Sequence, residues 1–234
     1  MFTGVNIDLM VTSGTAKRAY HHGDLRNALI DAAAELAAEG GPDSVTIRAA
    51  ARVVGVTPTA AYRHFAGHEE LLAAAKERAM GEMVAAMHTS LARYVETGDA
   101  VGDSLGRLAA AGRGYIAFAL AQPGLFRTFC AYAPPEDAAG DAVDDPFRIL
   151  LNSLDDLVRV GYLSPQRREL AEFTAWSLVH GLSTLLDGPL REMPDEVKEE
   201  VIARSIATIG HGLAGAGLTP EQEAVLRSVG PVSQ

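Results

Sequence analysis

The chain has 234 residues, 48% of them hydrophobic and 21% charged, enough apolar material to bury a sizeable core in one large or two smaller domains. Its net charge of −10 argues against a uniformly basic nucleic-acid binder, and its single cysteine, Cys130, excludes an intramolecular disulfide framework and a cysteine zinc cluster, which fits a reducing cytoplasm. No run of about 18 apolar residues occurs, and Met1 to Thr15 lacks a basic start followed by an apolar core, so neither a membrane span nor a signal peptide is expected.

Residues 1–16 have mixed composition and no helical period, and read as a disordered arm. Lys17 and Arg18, next in the chain, either reach the phosphates or minor groove of a duplex or belong to a solvated tail. His21 and His22 look like a metal pair but have no carboxylate or cysteine nearby at ligand spacing, so no metal is expected. Asp24 can cap a first helix, with Leu25, Leu29, Ala32, Ala33 and Leu36 as its buried stripe and Gly40-Gly41-Pro42 as its end.

The stretch from Ser44 to Leu72 carries the most information. Ser44 or Thr46 can cap a short helix in which Ile47, Ala50, Ala51 and Val54 recur at helical spacing, a narrow face that lets another helix come close. Gly55 stands where the chain must turn within a few residues, a position suited to positive φ, and Val56 plugs the corner. Thr57 is a good N-cap and Pro58 a good first helical residue, since its missing N–H would have had no partner there. Two short helices so tightly joined form either an αα-hairpin or a helix-turn-helix, whose second helix enters the major groove of DNA. In the second case Thr57, Thr59, Ala60, Tyr62, Arg63 and His64 are exposed along a helix from Thr57 to Phe65. Small residues then let the backbone approach the bases while hydroxyls and Arg63 meet phosphates and base edges.

The run from Tyr20 to Leu72, and above all Gly55-Val56-Thr57-Pro58 followed by Ala61-Tyr62-Arg63-His64-Phe65, resembles the N-terminal DNA-binding domain of the TetR/AcrR family of transcriptional regulators. The resemblance implies that Thr46, Arg48, Thr57, Thr59, Tyr62 and His64 face DNA, with the Tyr62 hydroxyl on a phosphate; Pro58, Ala60 and Arg63 complete the candidate DNA-binding set. It also implies that His21 and His22 position the N-terminus of the first helix near the DNA backbone. One departure stands at His68, where the family usually has Lys. A residue mostly uncharged at pH 7 replaces a fixed cation there, so His68 either contacts phosphate weakly or simply faces solvent.

The acidic total also divides by position. Through His68 the chain has six basic residues (Lys17, Arg18, Arg26, Arg48, Arg52, Arg63) and six acidic ones (Asp8, Asp24, Asp31, Glu35, Glu39, Asp43), so the whole surplus of acid lies after it. A charge-balanced DNA-reading domain and an acidic body facing away from DNA are compatible with nucleic-acid binding.

From Glu69 a long helix runs through Leu72, Ala75, Met80, Met83, Met87, Leu91 and Tyr94, linking the DNA-reading domain to the rest of the chain. After a polar break at Thr97 to Asp103, Leu108, Ala111, Tyr115 and Phe118 share one face of a helix that stops at Pro123. Phe126, Phe129 and Tyr132 share a face of the next. Ala133 to Asp145 reads as a loop, and Phe147, Leu150, Leu151, Leu154, Leu157 and Val158 as an amphipathic helix ending at Gly161. One helix is expected over Pro165 to Leu186, with Phe173, Trp176 and His180 on one face and Leu178, Leu182 and Leu185 on the other. A last helix from Pro194 to Leu213 carries Ile202, Ile206, Ile209 and Leu213. A helix apolar on two sides needs two partners, its own core and something else, such as a second copy of the chain. The resemblance implies that second copy, since the last two long helices of TetR-like regulators usually pair with their symmetry mates. Trp176, His180 and Gly181 are also similar to a short motif in one TetR C-terminal subfamily.

The expected architecture is therefore all-α, with about nine helices: a helix-turn-helix domain over 17–67, and a helical regulatory and dimerisation domain over 68–234. Tyr115, Phe118, Phe126, Phe129, Trp176 and His180 either line an apolar pocket for a small-molecule effector or are ordinary core, with Cys130 as a small buried hydrophobe. No catalytic group is expected. Asp155 and Asp156, being adjacent on a helix, cannot address one bond, and Cys130 lacks the surroundings of an activated thiol. The reading is a cytoplasmic homodimeric repressor released from a palindromic operator by a small molecule, with no cofactor. The alternative is a helical ligand-binding or scaffold protein that has lost operator binding.

Overall fold

The computed structural model describes residues 24–131 and 145–214. The arm over residues 1–16, Lys17, Arg18, His21, His22, Tyr132 and most of the loop before Asp145 lie outside the described residues.

Every regular element among the described residues is a helix. The helices are α1 (Asp24–Gly40), α2 (Ile47–Val54), α3 (Pro58–Ala61), α4 (His68–Arg93), α5 (Ala100–Ala121), α6 (Pro123–Cys130), α7 (Pro146–Arg159), α8 (Pro165–Arg168), α9 (Ala171–Asp187) and α10 (Asp195–Ala214), with a 3-10 turn at Pro42–Ser44. None is long and apolar enough to cross a membrane.

That is one α-helix more than expected, because the helix read over Pro165 to Leu186 is broken. Ser164 caps a single turn, α8, and Leu170 then adopts the left-handed region at φ 61°, a conformation rare for a residue with a branched side chain. The break lets α8 pack on α7 while α9 turns onto α5. Arg168 spans it, 2.7 Å from both Asp155 on α7 and Glu172 on α9.

The 26-residue α4 is central, packing against α1, α5, α6 and α7. Its fully buried residues are Leu71, Ala75, Ala79 and Met83, with Ala74, Val84 and Met87 close behind, whereas Leu72 and Met80 are only partly buried. Several partners around one helix bury more than one stripe, which shifts the register that periodicity alone suggests. At Gly114 the backbones of α4 and α5 nearly touch: a Cβ there would lie 2.6 Å from Met87 Cα.

The break between α4 and α5 is also shorter than its polar sequence implies. Asp99 caps α5 by accepting from Gly102 N at 2.7 Å, so Asp103 falls inside the helix and is buried, 5% exposed. Its carboxylate accepts from Thr97 N (2.7 Å), Thr97 Oγ1 (3.0 Å), Tyr94 Oη (3.0 Å) and Gly98 N (2.9 Å), which satisfies the charge and clamps the connection.

Candidate functional site

The reading face is built by local caps. Thr46, not Ser44, caps α2, its hydroxyl accepting from Ala49 N at 3.1 Å. Ser44 Oγ instead lies 2.5 Å from the Leu36 carbonyl oxygen and 2.6 Å from that of Gly41, tying the 3-10 turn to the end of α1. Gly55 has φ 79° and ψ 28°, the left-handed conformation that ends α2, and Val56 N donates to Ala51 O at 2.9 Å. Thr57 caps α3, accepting from Ala60 N at 3.3 Å.

Regular helix in α3 lasts only from Pro58 to Ala61, and the expected extension to Phe65 is a tighter series of turns. Tyr62 N still donates to Pro58 O (2.9 Å) and Phe65 N to Ala61 O (3.1 Å), so the coil holds its direction. Ala61 and Phe65 are buried, and the Arg26 guanidinium stacks 4.8 Å from the Phe65 ring centroid. These anchors turn the other side outward: Thr57, Pro58, Thr59, Arg63 and Tyr62 are exposed, Tyr62 by 51%, while Ala60 and His64 are partly buried. Thr46 and Arg48 on α2, and His68 at the first position of α4, are exposed as well. Val53, an apolar residue of α2 that is 49% exposed, was not marked by its spacing.

A cavity of about 690 Å³ lies among α4, α5, α6, α7, α9 and α10. Of the six residues read as a possible ligand set, Tyr115, Phe129 and Trp176 line it. Phe118 and Phe126 are buried in the packed core and His180 stands behind the wall, none of them among the lining residues. The tertiary structure adds Phe147 and Leu150 from α7, Tyr162, and Ile206, Ile209 and His211 from α10, which no local pattern associates with one another.

Behind the wall the rings interlock. His180 Nδ1 is 2.8 Å from Tyr115 Oη, and the His180 ring centroid is 5.5 Å from that of Trp176 and 5.6 Å from that of Phe126. Phe147 extends the cluster, edge-on to Trp176 at 6.1 Å. Burial raises the Tyr115 pKa above the usual phenol range and lowers that of His180, so both side chains are neutral at pH 7.

Groups that might suggest catalysis are arranged otherwise. Asp155 pairs with Arg168 at 2.7 Å and Asp156 with Arg159 at 2.7 Å. Cys130, expected to be buried, is exposed at the end of α6, where this short helix finishes. The protein around its thiol still pushes the pKa up to about 11, against the opposing Lys76, which leaves a protonated and weakly nucleophilic group. Among the described residues no cluster of three or more His, Cys, Asp or Glu could hold a metal ion.

Comparison with known proteins agrees with this geometry. Residues 29–75 match the family described as bacterial regulatory proteins, tetR family, and residues 108–226 match the tetracyclin repressor-like C-terminal domain. The chain is 27% identical over 185 residues to the uncharacterized HTH-type transcriptional regulator YobS of Bacillus subtilis (strain 168), covering 79% of this chain and 90% of that protein. A solved protein with unknown function from Rhodococcus sp. RHA1 is similar with a TM-score of 0.68 and 26% identity, over 85% of this chain and 100% of that one. SCO7222, a TetR from Streptomyces coelicolor, shares the fold with a TM-score of 0.60 at 18% identity, over 83% of this chain and 99% of its own.

Proposed function

The chain is a DNA-binding transcriptional regulator that belongs to the TetR family, and on that premise we propose that it is a homodimeric repressor released from a near-palindromic operator by a small molecule held in the cavity. Each subunit would set α3 in a major groove. Thr57, Thr59, Tyr62 and Arg63 would meet phosphates and base edges, Thr46 and Arg48 would add contacts from the start of α2, and His68, Lys17 and Arg18 would reach the backbone beside them. The two-fold axis would pass between paired α9 and α10 helices, whose Phe173, Leu185 and Val197 are apolar and about half exposed. The site of action is the cytoplasm, where operator DNA lies, and no catalytic step is assigned.

The observation that carries this reading is the span of α4. His68 at its start adjoins the reading face, and Met87 nineteen positions later lines the cavity. At about 1.5 Å per residue the two ends are rigidly linked over roughly 28 Å. A ligand that tilts α4 at Met87 therefore moves the reading head, and in a dimer it changes the distance between two heads that must fit one side of a duplex. Ligand and operator then oppose each other through differential affinity for two conformations.

The test is a titration of the full chain against its own upstream DNA at low and high salt, with sedimentation to give the mass. A steep salt slope and a bound dimer are expected, because phosphate contacts release counterions. Binding that ignores salt, or a bound monomer, would overturn the proposal.

A further inference from the structure

The chemistry of the cavity wall narrows what the effector can be. Resting on the reading of this cavity as the effector site, we propose that its ligand is an uncharged, largely aromatic or hydrocarbon molecule, held by dispersion and by release of water with no ion pair to the protein.

The wall is predominantly aliphatic and aromatic, with Leu108, Leu150, Val179 and Ile206 facing Phe129 and Trp176. Apart from His211 on the exposed side of α10, its polar side chains already have partners within the protein. Tyr162 Oη donates to Gly210 O at 3.0 Å, and the Tyr115 hydroxyl pairs with His180 Nδ1 at 2.8 Å. Arg113 Nη1 donates to Glu199 Oε1 at 2.5 Å, and Asp145 Oδ1 accepts from Phe147 N at 2.9 Å as the cap of α7. Among the described residues no buried side-chain nitrogen or oxygen lacks a hydrogen-bond partner.

A charged ligand entering this space would lose its hydration, and among the described residues the wall offers an anion only His211 or an Arg113 drawn away from Glu199, and a cation only the Asp145 carboxylate that caps α7. A neutral apolar ligand needs none of these. The volume, about 690 Å³, is within the range that encloses a drug-sized molecule. Trp176 presents an indole, set edge-on to Phe147 and tilted against His180, beside which a flat ring system can lie.

Trp176 is the sole tryptophan, so energy transfer from it reports binding near this wall and nowhere distant. The full chain is titrated with the neutral probe N-phenyl-1-naphthylamine, with 8-anilino-1-naphthalenesulfonate, which adds a sulfonate to the same rings, and with an ammonium derivative of those rings. The neutral probe is expected to bind at least tenfold more tightly than either charged one, to quench Trp176 by transfer, and to keep its affinity within threefold in Arg113→Met. Ala109→Phe, which fills the cavity, is expected to weaken it tenfold or more. Ala207→Phe makes the same test from the more exposed α10 side should Ala109→Phe fail to fold. A charged probe within threefold of the neutral one, or one that depends on Arg113, overturns the ligand class and leaves the cavity as the binding site. Transfer that survives both filling substitutions unchanged overturns the assignment of the cavity itself.

Discussion

Gly124, at the start of α6, lies so close to Ala37 near the end of α1 that a methyl group built on it would overlap the Ala37 carbonyl oxygen. The same α6 carries Phe126, whose ring stands edge-on to Tyr115 at 5.9 Å and beside His180 at 5.6 Å. One eight-residue helix thus touches both α1, which packs on α2 of the reading head, and the aromatic layer behind the cavity. Gly124→Ala is expected to push α6 off α1, lowering stability by about 1–3 kcal/mol, the usual cost of overpacking against backbone that cannot yield. Operator affinity measured without ligand should shift with it. Denaturant titration showing unchanged stability would mean that the two helices separate freely.

Tyr62 is half exposed, so Tyr62→Phe should leave the fold intact and remove only the hydroxyl. A hydrogen bond to a charged phosphate contributes about 1.5–3 kcal/mol, so binding should weaken roughly tenfold or more, and to a similar degree on every operator variant. Loss confined to one variant would reassign Tyr62 to base reading.

The four donors around Asp103, the Thr97 backbone N–H foremost, hold its carboxyl below the usual carboxylate range. A depressed folded value means that the carboxylate stabilises the fold fully above the unfolded value of about 4 and ceases to do so as pH falls through the lower folded value. Asp103→Asn should therefore melt earlier at pH 7 and show a flatter loss of stability across that acidic window. Parallel acid profiles for variant and wild type would place the acid sensitivity elsewhere.

Burial lowers the His180 pKa, so the folded protein favours neutral imidazole. The unfolded chain takes up a proton first, and the stability from this group is complete above the ordinary histidine value of about 6.5 and declines as pH falls through the lower folded value. His180→Gln, which keeps a partner for Tyr115, should flatten the thermal midpoint between those limits. Tyr115→Phe should instead cost about 1–3 kcal/mol at all pH values by leaving His180 Nδ1 unpartnered. A pH slope retained in His180→Gln would point to a different titrating group.

These expectations differ in how far they were legible beforehand. The cap at Thr57, the left-handed Gly55 and the start at Pro58 act within about four residues of themselves, as does the cap of α2, for which the sequence left Ser44 and Thr46 open. Local chemistry of that range can be read along the chain, and so could the outward face opposite Ala61 and Phe65. The break at Leu170 carried no glycine or proline to announce it, because it results from two helices that must pack on different neighbours. The buried register of α4, with Leu71 inside in place of Leu72, likewise depends on four helices closing around it.

The sequence by itself thus determined an all-α chain with a Gly55 turn and an exposed Thr59, Tyr62 and Arg63, since each rests on hydrogen bonds and dihedral preferences confined to neighbouring residues. Only the tertiary structure decided that Phe118 and Phe126 pack against other side chains while Phe129 and Trp176 border open space. An apolar side chain carries the same signal in either place, and whether it meets a neighbour or a void depends on six helices far apart in the chain coming together.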